Sequence, residues 1–194
     1  MLPSSQFDFH RQISPIIYQL NDFQDILKVK ELLDSPYIRA VDQLNSQMAE
    51  LIKAKNPAKT FSDLELAALV SDFLRENDRE KYGAWVFFPW KNILVRLLPE
   101  EEFVLVRTQR NNYKITSKEQ EELRKKKIGI IGLSVGQSIA FAIALERGCG
   151  ELRLADFDTL ELSNLNRIKA GVTDLGVEKV VIAAREISEI DPYL

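Results

Sequence analysis

The sequence predicts an α/β protein in which a βαβ unit with parallel strands follows an α+β N-terminal region. One observation is the continuous apolar run Ile128–Gly132, which is typical of a parallel strand buried on both faces. Another is the order of segments after it: a turn of small residues, an apolar helix and a second strand. We place the N-terminal region at 1–115 and the second region at 116–194.

The N-terminal region is predicted to begin with helices. Asp34 or Ser35 is expected to cap a helix with Pro36 in its first turn, because apolar residues recur at helical spacing over 38–52. The capping box Ser62–Glu65 predicts the start of a further helix. We expect the apolar faces of these helices to form a core; a groove that binds a partner is the alternative.

After about residue 78 the N-terminal region becomes rich in β-branched and aromatic residues. Three short runs of this kind lie over 83–107, namely Trp85–Phe88, Ile93–Leu97 and Phe103–Val106. Since prolines separate the runs, they predict a β-meander or two hairpins.

The βαβ unit is predicted segment by segment. Its first strand leads into a small-residue turn over 133–138 and then into an apolar helix over 139–145. Gly148 is expected to end that helix in a left-handed conformation. The second strand is Glu151–Asp156.

Two more helices flank the βαβ unit. Thr116 or Ser117 is expected to cap a short helix that continues to Leu123. The other helix is predicted over 178–189, where apolar residues recur at helical spacing, and Asp191 followed by proline ends it.

The turn of the βαβ unit carries a degenerate glycine motif. Compared with G-x-G-x-x-G, only Gly132 keeps its register, since Ser134 and Gln137 replace the other two glycines and Gly136 lies one residue early. A turn between a strand and a helix N-terminus offers unpaired N–H groups and the positive end of the helix dipole to an anion. The motif therefore predicts either nucleotide binding or close packing of helix on strand.

Charged residues after this turn favour a nucleotide. Asp156 ends the second strand 24 residues after Gly132, where an acid meets a bound ribose, and Asp158 is a second candidate. Either carboxylate could instead stabilise a turn. Arg167 and Lys179 suit a triphosphate better than a dinucleotide, because two cations could hold ATP and stabilise the departing pyrophosphate. Surface salt bridges are their alternative role.

Taken together, these segments resemble the signature of the ThiF/MoeB adenylyltransferases, which are related to ubiquitin-activating enzymes. The resemblance covers about 107–194. It is carried by the following segments: Ala155–Asp158, Leu162–Arg167, Gly176-x-x-Lys179, the lead-in helix Gln120–Leu123 and the helix ending Ile190–Pro192.

The resemblance implies a Rossmann-like fold and a reaction with ATP and Mg²⁺. It implies that Asp156 contacts the ribose, whereas Asn164, Arg167 and Lys179 contact the phosphates. A carboxylate, often the C-terminus of a ubiquitin-like protein, attacks the α-phosphate and gives an acyl-adenylate and pyrophosphate. Since the nucleophile is already an anion, Arg167 and Lys179 act by positioning and charge neutralisation rather than as a base.

Members of this family also reach an arginine across a dimer interface to the partner's ATP. Arg107 or Arg110 lies close to where that arginine would fall, which suggests a homodimer; solvated surface positions are the alternative. Ile168 stands where the family usually has glutamine. The sequence ends at Leu194, before a third strand, so we expect the Mg²⁺ ligand beyond it and no activity from this fragment alone.

Composition excludes several functional classes. The 194 residues carry 26 basic and 29 acidic side chains, so no basic field indicates nucleic acid. One Cys and one His argue against a disulfide framework and a His/Cys zinc site, and Cys149 is expected to be a packed thiol. We find no signal peptide pattern at Met1–Ser5 and no membrane span, and we expect a cytoplasmic protein.

Two other functions are compatible with parts of the pattern. An oxidoreductase that binds NAD or FAD would use the βαβ unit and Asp156, but it leaves Asn164, Arg167 and Lys179 without a role. A truncated, non-catalytic domain for binding or assembly is the other alternative.

Overall fold

The computed structural model describes residues 12–194, which form two compact units. One unit is Ile16–Arg110, and the other is Asn111–Leu194 together with residues 12–15. The prediction for Met1–Ser5 lies outside the described residues. None of the helices in 12–194 has the length and apolar character that a membrane span requires.

The Ile16–Arg110 unit is built on a mixed four-stranded sheet in the order β1-β3-β4-β2. Its strands are β1 (Ile16–Gln19), β2 (Arg39–Asp42), β3 (Ala84–Phe88) and β4 (Ile93–Leu97). Its helices are α1 (Phe23–Leu33), α2 (Leu44–Lys55), α3 (Asp63–Glu76) and α4 (Glu100–Thr108). Strands β2 and β4 are parallel, whereas β3 is antiparallel to β1 and β4.

The early part of this unit is less helical than predicted. Strands β1 and β2 lie within it, and the helix expected from Pro36 begins only at Leu44. Residues 39–42 pair with Ile93–Arg96 along β4, and this tertiary pairing outweighs their helical spacing. The capping box at Ser62 is confirmed, since both of its hydrogen bonds form at the start of α3.

The predicted strand Phe103–Val106 is wrong, because these residues belong to α4. The first turn of α4 contains three glutamates, which the positive end of the helix dipole favours. Val104 is buried, while Phe103 and Val106 pack against the apolar core between α2 and α3. Their spacing of three residues therefore marks one face of a helix.

The second unit contains a parallel βαβ arrangement. Its elements are α5 (Ser117–Arg124), β5 (Lys127–Ile131), α6 (Leu133–Glu146), β6 (Glu151–Ala155) and α7 (Lys179–Ile190). Strands β5 and β6 are parallel, with Lys127 opposite Glu151 and Ile131 opposite Ala155. The predicted α/β class, with a partial Rossmann-like unit, is confirmed.

Helices α6 and α7 cover one face of the β5–β6 sheet. Ala140, Ala144 and Ile187 form the buried centre of this contact, and Ile130 and Leu154 pack against it from the strands. The opposite face is open in the described residues, so Ile131 is 90% exposed. The prediction that β5 is buried on both faces is therefore wrong for this part of the chain.

Helix α6 begins earlier than predicted, at Leu133 rather than Ile139. Gly132 precedes it with a φ of +86°, a conformation that glycine adopts readily. A Cβ on Gly136 would lie 2.7 Å from Ile130 Cγ2, so the missing side chain lets α6 approach β5 closely. The small residues of the expected turn thus form the first turns of the helix.

The end of α6 also differs from the prediction. Arg147, not Gly148, takes the left-handed conformation, with a φ of +49°. The guanidinium of Arg147 forms a buried ion pair with Asp191, directly after α7. This pair favours arginine at a position where local conformational preference alone would favour glycine.

Candidate functional site

A cavity of about 700 Å³ opens at the carboxyl ends of β5 and β6. Ligands of open α/β sheets bind at this edge. The cavity is lined by the following residues: Ile131, Gly132, Ser134, Val135, Leu154, Ala155, Asp156, Phe157, Asp158 and Val180. Its walls combine exposed apolar side chains, above all Phe157 (97% exposed), with two carboxylates and the N-terminus of α6.

Asp156 links β6 to the start of α6. Its Oδ2 accepts a hydrogen bond from the Leu133 N–H at 2.5 Å, and its Oδ1 accepts one from the Asp158 N–H at 2.8 Å. Burial by itself raises the pKa of Asp156, but these N–H donors and the charge of Lys179 outweigh it, so the pKa lies below its ordinary value. A carboxylate has about four lone-pair sites, which leaves about two for a ligand hydroxyl.

Lys179 lies beside residues of the cavity wall because the segment after β6 pairs with the segment before α7. The N–H of Leu160 donates to the Val177 carbonyl at 2.8 Å, and the N–H of Lys179 donates to the Asp158 carbonyl at 2.9 Å. The side chains follow: Lys179 Nζ lies 2.8 Å from Asp158 Oδ2 and 3.5 Å from Ser134 Oγ. Lys179 is only 5% exposed.

This placement concentrates positive potential at one point. Lys179 is the first residue of α7, where the helix dipole disfavours a cation, and the first turn of α7 contains no acidic residue. The carboxylate of Asp158, 2.8 Å from Lys179 Nζ, offsets the charge. The N–H groups of Ser134 and Val135, in the first turn of α6, have no carbonyl partner within their helix. The arrangement is chemically suited to an anion with several oxygens.

Asn164 and Arg167 lie in the loop between β6 and α7. Asn164 is buried, and its Oδ1 accepts a hydrogen bond from the Glu161 N–H at 3.1 Å. Arg167 is exposed, and its guanidinium donates to the Ser163 carbonyl and to Asn166 Oδ1. In residues 12–194 no hydrogen bond or ion pair joins Arg167 to the cluster of Ser134, Asp156, Asp158 and Lys179.

Arg107 and Arg110 belong to the Ile16–Arg110 unit. There they line a cavity of about 550 Å³ together with Lys53 and Phe103. Their predicted role toward a partner's ATP stays a prediction.

In the sequence, Gln137 is only a departure from the glycine motif. The structure shows that its side chain donates to the Lys169 carbonyl at 2.9 Å and accepts from the Lys169 N–H at 3.1 Å. A polar residue at a glycine position, inside an otherwise apolar helix, was the available signal.

Cys149 is buried, and burial raises the pKa of its thiol, as expected for a packed residue.

Carboxylates at the cavity are the candidate metal ligands. Residues 12–194 contain no group of three or more His, Cys, Asp or Glu side chains that could hold a metal ion. Asp156 and Asp158 are both at the cavity, but their oxygens already serve the Leu133 and Asp158 N–H groups and the Lys179 ammonium. The described residues therefore fit a phosphate-bearing ligand better than a resident cation.

The fold and this site define a partial Rossmann-like α/β unit, with a cavity at the carboxyl ends of its strands that is lined by apolar side chains and two carboxylates. Residues 106–194 match the model of the ThiF family. The predicted resemblance is confirmed, and adenylyltransferase-type activity is typical of the family.

Individual relatives agree with the family match. The chain is 39% identical over 182 residues to the uncharacterized protein MT1398 of Mycobacterium tuberculosis, covering 92% of this chain and 23% of that protein. It is 33% identical over 75 residues to ubiquitin-like modifier-activating enzyme 5 of Culex quinquefasciatus, and 36% identical over 75 residues to that of Drosophila grimshawi. The last two matches cover 39% of this chain and 19% of each enzyme. The chain thus spans less than a quarter of the length of these relatives.

Proposed function

We propose that residues 111–194 supply the nucleotide-binding side of an ATP-dependent adenylation site. The acceptor is a carboxylate, such as the C-terminus of a protein or peptide, which attacks the α-phosphate to give an acyl-adenylate and pyrophosphate. The observation that carries this proposal is the buried ammonium of Lys179 beside Ser134, at the N-terminus of α6. A buried cation at a helix N-terminus is well matched to phosphate oxygens.

Each candidate residue has a distinct task in the proposed reaction. Lys179 exchanges part of its contact with Asp158 for a phosphate oxygen, while the first turn of α6 donates N–H groups to the same anion. Asp156 accepts from the ribose hydroxyls through its remaining lone pairs. Arg167 and Asn164 approach the phosphates from the loop, and Arg167 stabilises the charge on the departing pyrophosphate.

The chemistry needs no general base. A carboxylate is already ionised near neutral pH, so the protein contributes positioning and charge neutralisation. Mg²⁺, when it accompanies ATP, supplies further charge neutralisation on the phosphates. The acceptor protein, a homodimeric state and a cytoplasmic location are part of the same proposal.

The test is ATP–pyrophosphate exchange by the full protein with candidate carboxylate acceptors. Arg167→Ala is expected to abolish exchange and leave the circular dichroism spectrum unchanged, because the side chain is exposed and makes only local contacts. Arg153→Ala is the matched control, since Arg153 is also exposed and pairs with Glu151. Exchange that survives in Arg167→Ala contradicts the role of Arg167.

An oxidoreductase is the second candidate, and the position of Asp156 at the end of β6 favours it. Calorimetry with ATP and with NAD separates the two. ATP binding without NAD binding supports adenylation, and the reverse supports the oxidoreductase. If neither nucleotide binds the full protein, a non-catalytic module for binding or assembly is the better description.

A further inference from the structure

Gln137 holds the loop after β6 against α6. Its amide forms two hydrogen bonds with the backbone of one residue, Lys169, through the carbonyl and the N–H. The same amide nitrogen also donates to Glu186 Oε2 on α7 at 2.9 Å. Since Gln137 is 5% exposed, water competes weakly for these bonds.

The side chain of Lys169, although 64% exposed, also contacts both helices. Its ammonium lies 3.6 Å from the centre of the Phe141 ring on α6 and 3.7 Å from Glu186 Oε1 on α7. A cation over an aromatic face and next to a carboxylate is attracted by both. Gln137, Phe141 and Glu186 therefore fix Lys169 at a point where both helices meet the loop.

Arg167 lies two residues before this fixed point. The intervening Ile168 is buried with Leu160 and Ile182, which anchors the loop a second time. Among residues 12–194, in contrast, the guanidinium of Arg167 donates hydrogen bonds only to Ser163 and Asn166 of its own loop. The position of Arg167 relative to α6 is therefore set by the backbone of 168–169.

We propose that Gln137 is a positioning residue that orients Arg167 toward a nucleotide at the N-terminus of α6. This inference rests on the proposed function, because it assigns Gln137 an effect on ATP through Arg167. It accounts for a glutamine at a position where a glycine motif would have no side chain. Gln137 itself touches the loop and not the nucleotide.

The experiment is a double-mutant cycle on ATP affinity in the full protein. The variants are Gln137→Met, which keeps the side-chain length but removes the polar atoms, Arg167→Ala and the double variant. Gln137→Met is expected to weaken ATP binding about tenfold, the scale of losing one or two net hydrogen bonds. In the Arg167→Ala background the same change is expected to have little effect, because neighbours that act as a unit are not additive.

Gln120→Met is the matched structural control. Gln120 also bonds backbone and side chain, through the Arg147 carbonyl and Asn111, but it lies on α5. This variant is expected to lower the melting temperature without coupling to Arg167. Gln137→Leu is the second test variant if Gln137→Met does not fold, since it also removes both polar atoms and adds no charge beside Glu186.

The outcomes separate the two proposals. If the wild-type protein does not bind ATP, the proposed function fails. If it binds ATP and the effects of Gln137→Met and Arg167→Ala simply add, Gln137 has only a structural role and this inference fails. Hydrogen exchange gives a readout independent of activity: the amides of 164–169 should exchange faster in the Gln137 variant but not in the Gln120 variant.

Discussion

Lys179 Nζ lies 2.8 Å from Asp158 Oδ2, and this ion pair joins the start of α7 to the loop after β6. The ammonium is buried, whereas the carboxylate is half exposed, so the two partners face different surroundings. A buried lysine without a nearby anion would be costly. The pair therefore keeps a cation next to Ser134 and Asp158, two residues that line the cavity.

The first prediction concerns this cation. Lys179→Met is expected to weaken ATP binding to the full protein at least tenfold, because it removes a charge that interacts with a phosphate by up to about 4 kcal/mol at close range. Calorimetry measures the change. Lys127→Met is the control, since Lys127 is an exposed lysine paired with Glu151. Equal ATP affinity in the wild type and in Lys179→Met contradicts phosphate binding by Lys179.

The second prediction concerns Asp156 and pH. Because the folded-state pKa of Asp156 is lowered, the carboxylate stabilises the fold above its unfolded value of about 3.9, and this contribution is lost as pH falls through the folded value. Asp156→Asn is expected to destabilise α6 by about 1–2 kcal/mol at pH 7, since it weakens a charge-assisted bond at the helix start.

Hydrogen exchange of the α6 amides, measured in the full protein at pH 7 and near pH 3, checks this prediction. The difference between the wild type and Asp156→Asn should shrink at the lower pH. Asp72→Asn is the control, because Asp72 is exposed and pairs only with Arg75 among the described contacts of that turn. A difference that stays constant between the two pH values rules out the ionised carboxylate as the cause.

The C-terminal part of the candidate site was largely predictable from the sequence. Asp156 and Lys179 could be named as candidates from the sequence, because strand ends and motif spacing are local properties of the chain. The cap at Thr116 or Ser117 was also predicted, and Thr116 takes that role at the start of α5. The hydrogen bonds between Gln137 and Lys169 were not predictable, because only tertiary packing brings these two residues together.

The errors in the fold have the same physical origin. Residues 39–42 belong to a segment with helical spacing. They pair instead with Ile93–Arg96 of β4, which lie more than 50 residues later in the chain. Arg147 takes a left-handed conformation because of an ion pair with Asp191, near the end of the described chain. In both cases a distant partner outweighs the local preference on which sequence patterns depend.

The third prediction concerns the buried ion pair between Arg147 and Asp191. Arg147→Ala is expected to destabilise the fold by about 3–5 kcal/mol, because it removes the guanidinium that neutralises the buried carboxylate of Asp191. The double variant with Asp191→Asn should lose less than the sum of the two single variants. Urea unfolding of the full protein measures each value, and strict additivity contradicts the ion pair as the source of the effect.

The fourth prediction tests the close approach of α6 to β5. Gly136→Ala is expected to destabilise α6 by about 1–2 kcal/mol, because overpacking outweighs the gain in helix propensity. The clash is with Ile130, whose Cγ2 would lie 2.7 Å from the new Cβ. Gly129→Ala is the matched control on the adjoining strand, since a Cβ there meets nothing within 4 Å.

Hydrogen exchange of the α6 amides in the two variants distinguishes packing from a general effect of alanine. We expect faster exchange in Gly136→Ala and unchanged or slower exchange in Gly129→Ala. Adding Ile130→Ala to Gly136→Ala should cost less than Ile130→Ala costs alone, because the new methyl group partly fills the space that the isoleucine leaves. If Gly136→Ala slows the exchange of the α6 amides, a glycine at 136 is not needed for packing. Access of a ligand to the turn is then the alternative reason for a small residue there.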